Sequence, residues 1–258
     1  LQEEPLKHRA HAAFYLKLLN AFLASLLVIL LVWISLIRLG IAFNFSFLVD
    51  FRIRIVQGFL MTLALSACSL FLSLFIGIVA AILRECGILF LEYLASIYVN
   101  FIRGTPLIMQ IYLFYYIIGT AWGVENRFVS GVLILSVFEG AYIAEIIRAG
   151  FSDLEKTQLE AAKAVGFTRR QTVRLVILPQ MVASTLPPLI GQFSSIIKDS
   201  SLLSIIAVIE LTQTMREISA LNFRLFECYL FLGFLYLVLT LPLSLLGKQL
   251  EKRFSYEH

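Results

Sequence analysis

Residues 58–83 read GFLMTLALSACSLFLSLFIGIVAAIL, a run without a single charge. An α-helix rises about 1.5 Å per residue, so roughly 20 apolar residues cross the ~30 Å hydrocarbon core of a bilayer. This run is long enough, and residues 21–37, 104–124 and 228–247 form three more uncharged apolar runs. The first of these is the shortest; residues 12–19 and a snorkelling Arg38 extend it. Two further spans carry polar groups: 128–147 holds Glu139 and Glu145, and 187–209 holds Lys198 and Asp199. Six membrane helices are expected, in an all-α polytopic bundle. The two-residue alternation of a membrane barrel is absent from the sequence.

Composition agrees. Of the 258 residues 60% are apolar and 15% charged, with mean hydropathy +0.89, whereas soluble domains hold about 45–50% apolar and about 25% charged residues. A water-soluble chain of this length cannot hide so much apolar surface in one core. An ordinary soluble enzyme, a disordered chain and a nucleic-acid module are excluded. Cys68, Cys86 and Cys228 have no metal-ligand spacing and give no disulfide framework; Cys68 and Cys228 read as small hydrophobic filling. His8, His11 and His258 sit at the chain ends, away from any catalytic or metal-binding constellation.

The net charge of +4 has to be read by position. With the N-terminal segment 1–20 in the cytosol, fourteen of the 21 lysines and arginines fall on inner segments and six on outer ones, and Lys198 is intramembrane. Both termini, including the tail 248–258, are therefore expected in the cytosol. Leu36, Ile37, Arg38 and Leu39 follow the first apolar run where a cleaved signal peptide would have small residues, so that run is expected to be a retained helix.

The longest inner connection, within 149–186, is not composed like a linker. Ser152-Asp153-Leu154-Glu155 reads as a capping box, and the helix formers Leu159 to Ala164 follow it. Gly166 is a natural left-handed stop. Thr168-Arg169-Arg170-Gln171 is a second box, opening a basic helix expected to reach Leu178 and stop at Pro179. Two readings fit: a hairpin resting on anionic headgroups through Arg169, Arg170 and Arg174, or a rigid element offered to a cytosolic partner. In the second, Ala161, Ala162 and Gly166 allow close approach and Glu160 supplies a charged anchor. A DNA-binding helix-turn-helix does not fit a thirty-residue segment tethered at both ends to membrane helices.

At these residues the chain resembles a known family. Glu160-Ala161-Ala162, Gly166 and Leu178-Pro179 resemble the EAA–x3–G–x9–I–x–LP signature of binding-protein-dependent ABC importer permeases, with Val176 at the isoleucine position. Arg103-Gly104-Thr105-Pro106-Leu107, the segment Gly140 to Arg148, Leu186-Pro187-Pro188 and Lys198-Asp199-Ser200-Ser201-Leu202 are similar to the polar amino acid branch, the histidine/glutamine/glutamate type.

The resemblance implies the type I fold of ABC importer transmembrane subunits. Its five-helix core would occupy 58–247 (58–83, 104–124, 128–147, 187–209 and 228–247), with 21–37 an added N-terminal helix. It implies that 150–180 is a coupling loop, with Glu160, Ala161, Ala162 and Gly166 seated on a cytosolic ATPase. It further implies two ATPase subunits that bind ATP and Mg, a second permease chain, the same or similar, and an extracytoplasmic solute-binding protein, all at a bacterial cytoplasmic membrane. This chain has no G-x-x-x-x-G-K-[ST] phosphate loop. It is expected to be no enzyme, to hold no cofactor or metal, and to touch lipid and an amino acid but no nucleic acid.

A charge at mid-membrane costs about 2.5–3.5 kcal/mol on insertion scales, so each needs a reason. Glu139 sits mid-helix beside Gly140, Ala141 and Ala144, which permit close packing. It reads either as a pathway residue for a substrate ammonium or as a structural partner for Lys198 or another helix; as a pathway residue it would favour cationic or zwitterionic amino acids. Tyr142 could share its face. Lys198, Asp199, Ser200, Ser201 and Ser204 form the most polar stretch within any span. They read as a local break lining a cavity, where Lys198 would take an amino acid's carboxylate and Asp199 its ammonium, or as an internal network that fixes helix register. Glu145 and Arg148 read as an ordinary i,i+3 ion pair.

Thr105-Pro106 reads as a cap followed by proline at the first helical position, and Gln110 as an interhelical hydrogen-bonding group. The alternative function is a self-sufficient secondary transporter or channel for small polar solutes. Such folds often show internal repeats with paired broken helices, and none is evident between the halves. An intramembrane enzyme lacks its Ser–His pair, metal-spaced histidines or paired aspartates.

Overall fold

The computed structural model describes residues 4–38, 43–152 and 156–255, and among these every regular element is helical. The chain divides into two units, Leu1–Phe45 and Ser46–His258. The first holds α1 (Glu4–Arg38), whose segment Leu18–Ser35 is long and apolar enough to cross a membrane. Leu27 and Trp33 on it are exposed. Ser25 and Ser35 return their hydroxyls to the carbonyls of Ala21 and Leu31, each at 2.8 Å, so neither places an unsatisfied donor in this apolar stretch.

The second unit opens with the short helix α2 (Phe47–Asp50) and is built on α3 (Arg52–Leu83) and α6 (Arg127–Ser152), which pack along each other. Glycines bring them close. A Cβ on Gly77 would lie 2.5 Å from Ile143 Cγ2, and one on Gly140 2.8 Å from Ile76 Cγ2. Without a hydrophobic force between helices in lipid, such close backbone approach is what holds them. Leu65, Leu135, Ala141, Ile196 and Leu203 fill the core between α3, α6 and α9 (Leu178–Asp199). Overpacking typically costs about 1–3 kcal/mol, so Gly140→Leu should lower the melting midpoint in detergent. Gly233→Leu, at a position with open space around it, should leave the midpoint within a degree or so; equal losses from both would contradict the packing account.

The connection 84–103, which lies between two expected spans, holds most of the helix α4 (Leu89–Gly104). It meets α5 (Leu107–Tyr112) and the π-helical turn Leu113–Gly119 at a bend of 114°. Thr105 is extended (φ −127°, ψ 149°), as the residue before a proline must be to avoid the ring. Thr105 does not cap the next helix: its hydroxyl donates back to Phe101 O at 2.8 Å, and Pro106 stands at the N-cap. Buried Gln110 staples the bend, its Nε2 lying 2.8 Å from Ile102 O and 2.7 Å from Thr105 Oγ1. Its bonds thus stay within the bend rather than reaching another span. The π turn redistributes the aromatic cluster: Tyr116 stacks on Tyr112 and meets Tyr115 edge-on.

Pro179 does not stop a helix either. Residues α8 (Arg169–Thr172), the π turn Val173–Ile177 and α9 run on as one apolar span, Arg169–Ile206, with Pro179 in the opening turn of α9. A π turn shifts the hydrogen-bond register by one residue just before the proline, which absorbs its missing N–H. Beyond Asp199 the chain tightens into the 3-10 segment Ser200–Ile206 and turns at Ala207, left-handed at φ 55°. An alanine there costs roughly 1–2 kcal/mol.

The last elements are α10 (Leu211–Asn222) and α11 (Leu225–Ser255). Glu210 caps α10, accepting from Thr212 N and Gln213 N, both at 2.8 Å. Burial pushes its carboxyl up to about 7 against the pull of those donors.

Helix α9 crosses α6 near the end of the latter. Gly150, near the end of α6, meets Thr185, 2.3 Å from where a Cβ would stand. Sixteen residues further back lies Arg169, so about 24 Å of helix extends beyond that crossing at roughly 1.5 Å per residue.

Candidate functional site

Two groups of the sequence-derived residues are brought together, one inside the bundle and one at α7 (Lys156–Ala164). Inside, Glu139 is 0% exposed on α6. Gln192 of α9 donates its Nε2 to Glu139 Oε2, and the Asp199 carboxyl approaches from the end of the same helix. Glu139 Oε1 has no hydrogen-bond partner among the described residues. A buried carboxylate oxygen left without a donor is expensive, and it marks a place where a ligand's N–H fits.

The pairing of Glu139 with Lys198 that the sequence allows is not formed. Among the described residues no ion pair joins them, and Lys198 is exposed. Lys198 instead lines a groove of about 610 Å³ between α9 and α11, with Pro187, Gly191, Ser194, Lys248 and Glu251. Adjacent residues on a helix point about 100° apart, so Lys198 and Asp199 serve different faces. Ser200 is buried and donates to Ile197 O at 2.7 Å, and Ser201 is half-buried beside it. The expected local break is present as the passage from α-helix to 3-10 helix at Asp199–Ser200. Gln192 is not among the sequence candidates, although an amide within an apolar span is the same signal that singles out Gln110.

Tyr142, one turn from Glu139, turns away from that cluster. It packs on Phe138, ring centroids 5.1 Å apart, under the Arg103 guanidinium, 5.6 Å from its ring centre. Glu145 forms the expected pair with Arg148, Nε at 3.1 Å. It also binds Arg84 at 2.7 Å and Arg103 at 3.5 Å. One carboxylate therefore ties together the ends of α3, α4 and α6.

The second group lies on α7 (Lys156–Ala164). The expected box at Ser152–Glu155 lies outside the described residues. The far end of α7 is closed by a Schellman motif: Phe167 N bonds Ala162 O and Gly166 N bonds Lys163 O, both at 3.0 Å. Gly166 takes φ +83°, a conformation that costs glycine nothing. The second box is formed, with Gln171 N donating to Thr168 Oγ1 at 3.3 Å and Thr168 N to Gln171 Oε1 at 2.8 Å.

Glu160, Ala161 and Gly166 are exposed. Ala162, expected to face a partner with them, is 5% exposed and packs inward, because neighbouring helix residues point in different directions. Val165, 74% exposed, takes a place on the outer face. Gln180 of α9 and Gln158 of α7 are hydrogen-bonded, fastening the short helix to the long one.

Residues 73–256 match the profile of the binding-protein-dependent transport system inner membrane component. The chain belongs to that family. The family match leaves out α1 and residues 52–72, the greater part of α3. Among curated relatives of this permease, the probable glutamine ABC transporter permease protein GlnM of Bacillus subtilis is 37% identical over 81% of this chain and 97% of its own length. The glutamine transport system permease protein GlnP of Escherichia coli is 37% identical over 77% and 92%. A crystal structure of an amino acid ABC transporter with histidines superposes at TM-score 0.76, with 33% identity over 83% of this chain and all of that one. The inward-facing MetNI methionine ABC transporter, at TM-score 0.65 and 19% identity, shares the fold. This permease therefore has the type I transmembrane-subunit architecture, and its work is passage of a solute rather than covalent chemistry.

Proposed function

We propose that this chain passes a polar amino acid inward across a bacterial cytoplasmic membrane, driven by two separate ATPase subunits that grip α7. A second permease chain completes the path, and an extracytoplasmic binding protein delivers the solute. ATP and Mg are held by the ATPases. Both termini and the Glu145 end of the bundle face the cytosol, in keeping with the distribution of lysine and arginine. The observation that carries this reading is the α7–α8 element: closed at Gly166, capped at Thr168, and fastened to α9 by the hydrogen bond between Gln158 and Gln180. Relatives carrying the names of glutamine, L-cystine and glutamate/aspartate systems support the choice of solute class.

Within the bundle, Glu139, Asp199 and Ser200 line the path, with Ser201 beside them. Lys198 stands on the adjoining groove, placed to receive the carboxylate, and Tyr142 on the way to the cytosolic end. The unsatisfied Glu139 Oε1 awaits an ammonium or a cationic side chain.

The test is uptake of labelled amino acids into proteoliposomes holding the chain alone, or the chain with its ATPase and binding protein. ATP-dependent uptake only by the complete set supports the reading. Accumulation by the chain alone supports a secondary transporter or channel instead.

A further inference from the structure

Three arginines converge on one carboxylate where two spans end. Glu145 Oε2 accepts from Arg84 Nη1 at 2.7 Å and lies 3.5 Å from Arg103 Nη1, while Oε1 accepts from Arg148 Nε at 3.1 Å and from its Nη2. Among the described residues no other carboxylate stands within ion-pair distance of the three. Each guanidinium carries more N–H donors than its share of Glu145 can accept. Because Arg84 and Arg103 also draw on that carboxylate, Arg148 is left only partly neutralised. Its side chain is 37% exposed, so the spare donors can be reached.

The membrane-crossing stretches of α3 and α6 end at Leu83 and Phe151. The cluster therefore stands where hydrocarbon gives way to headgroups, the level at which phospholipid phosphates lie. Between the two helix ends is a groove of about 470 Å³, lined by Ala81, Ile82, Glu85, Cys86, Arg148 and Phe151. Its apolar side continues along α3. Phe71, Phe75, Ile78 and Ile82 are all exposed, and their spacing of three and four residues puts them on one ridge of the helix.

We propose that this groove binds one anionic phospholipid, its phosphate on Arg148 and an acyl chain along the α3 ridge. The guanidinium fork matches two phosphate oxygens, and basic pockets between membrane helices are suited to such headgroups. The ridge decides the source of the phosphate: a soluble phosphate would leave Ile82, Phe151 and the residues above them without a role. Glu85, exposed on the same groove, weakens the local field and so limits the site to a singly charged head. A bound phosphate would relieve the mutual repulsion of the three arginines and thereby tighten the junction of α3, α4 and α6.

Native mass spectrometry of the full chain in detergent tests this by titration with dioleoylphosphatidylglycerol or dioleoylphosphatidylcholine. It is read with no solute or ATPase present, so its outcome is independent of the transport function proposed above. Wild type should hold phosphatidylglycerol about tenfold more tightly than phosphatidylcholine, as expected for hydrogen bonds to a charged partner. Arg148→Gln should erase that preference, whereas Arg216→Gln, at an exposed arginine of α10, should keep it. Glu85→Gln should strengthen phosphatidylglycerol binding about twofold, the modest effect of an exposed charge. Equal binding of the two lipids by wild type, or a preference that survives Arg148→Gln, overturns the proposal. So does displacement of phosphatidylglycerol by millimolar inorganic phosphate, which would make the ligand a soluble anion. A gain of affinity cannot come from misfolding, so Glu85→Gln decides the matter even if the Arg148 variant fails to fold; no gain there overturns the site.

Discussion

Glu160→Lys is expected to abolish co-purification of this permease with its ATPase subunits while leaving its abundance in the membrane unchanged. Glu160 is exposed on α7 beside Ala161 and Val165, and it makes no ion pair among the described residues. Among the described residues no hydrogen bond of its side chain holds the fold together. On a docking face, replacing an anchoring carboxylate with an ammonium converts an attraction into a repulsion, and like charges placed together cost several kcal/mol. A loss of 1.4 kcal/mol is already tenfold in affinity, so at least a hundredfold weakening is expected.

Gly166→Val should act in the same direction by another route. A β-branched residue at φ +83° carries strain of about 1–3 kcal/mol, which would open the Schellman closure and let α7 swing relative to α8. Glu160→Gln should retain most of the binding. Undiminished association of the Glu160→Lys protein, together with normal solute-stimulated ATP hydrolysis, would remove α7 as the gripped element.

The second large effect is expected at Glu139. Glu139→Gln preserves shape and the contact with Gln192 but removes the only carboxylate that α6 contributes beside Asp199. If Glu139 Oε1 receives a cationic group, uptake of lysine, arginine or histidine in the reconstituted complex should fall at least tenfold relative to glutamine, a charge-assisted bond being roughly twice as strong as a neutral one. Unchanged ranking and unchanged rate would assign Glu139 to packing alone.

What the sequence displays and what it conceals divide along physical lines. Long uncharged runs announce α1, α3 and α11 because burial in lipid is a property of the run itself. The Gly166 stop and the Thr168–Gln171 box are equally local, each needing only four or five neighbouring residues. The helix α4 is hidden because Glu92, Asn100 and Arg103 interrupt its apolar character, and the bend at Thr105 reads from outside as a mere cap. The continuity of α9 through Pro179 is hidden because a π turn leaves no compositional mark. Arg84 and Glu145 are 61 residues apart, and Gln192 and Glu139 are 53 apart; only the folded chain brings them together. The inward turn of Ala162 follows from packing against neighbours that the EAA spelling does not name.

The crossing of Gly150 and Thr185 divides the helical run 169–199 near its middle. From it the outer arm to Arg169 measures about 24 Å and the inner arm to Asp199 about 21 Å, at roughly 1.5 Å per residue. The arms are nearly equal, so a seesaw of this shape neither amplifies nor reduces its stroke. A tilt that carries one tip a few ångström carries the other almost as far in the opposite sense. Pro187 and Pro188 lie just inside the pivot, where missing N–H groups soften the rod and let part of the stroke be taken up as flexure before it arrives at the carboxyls.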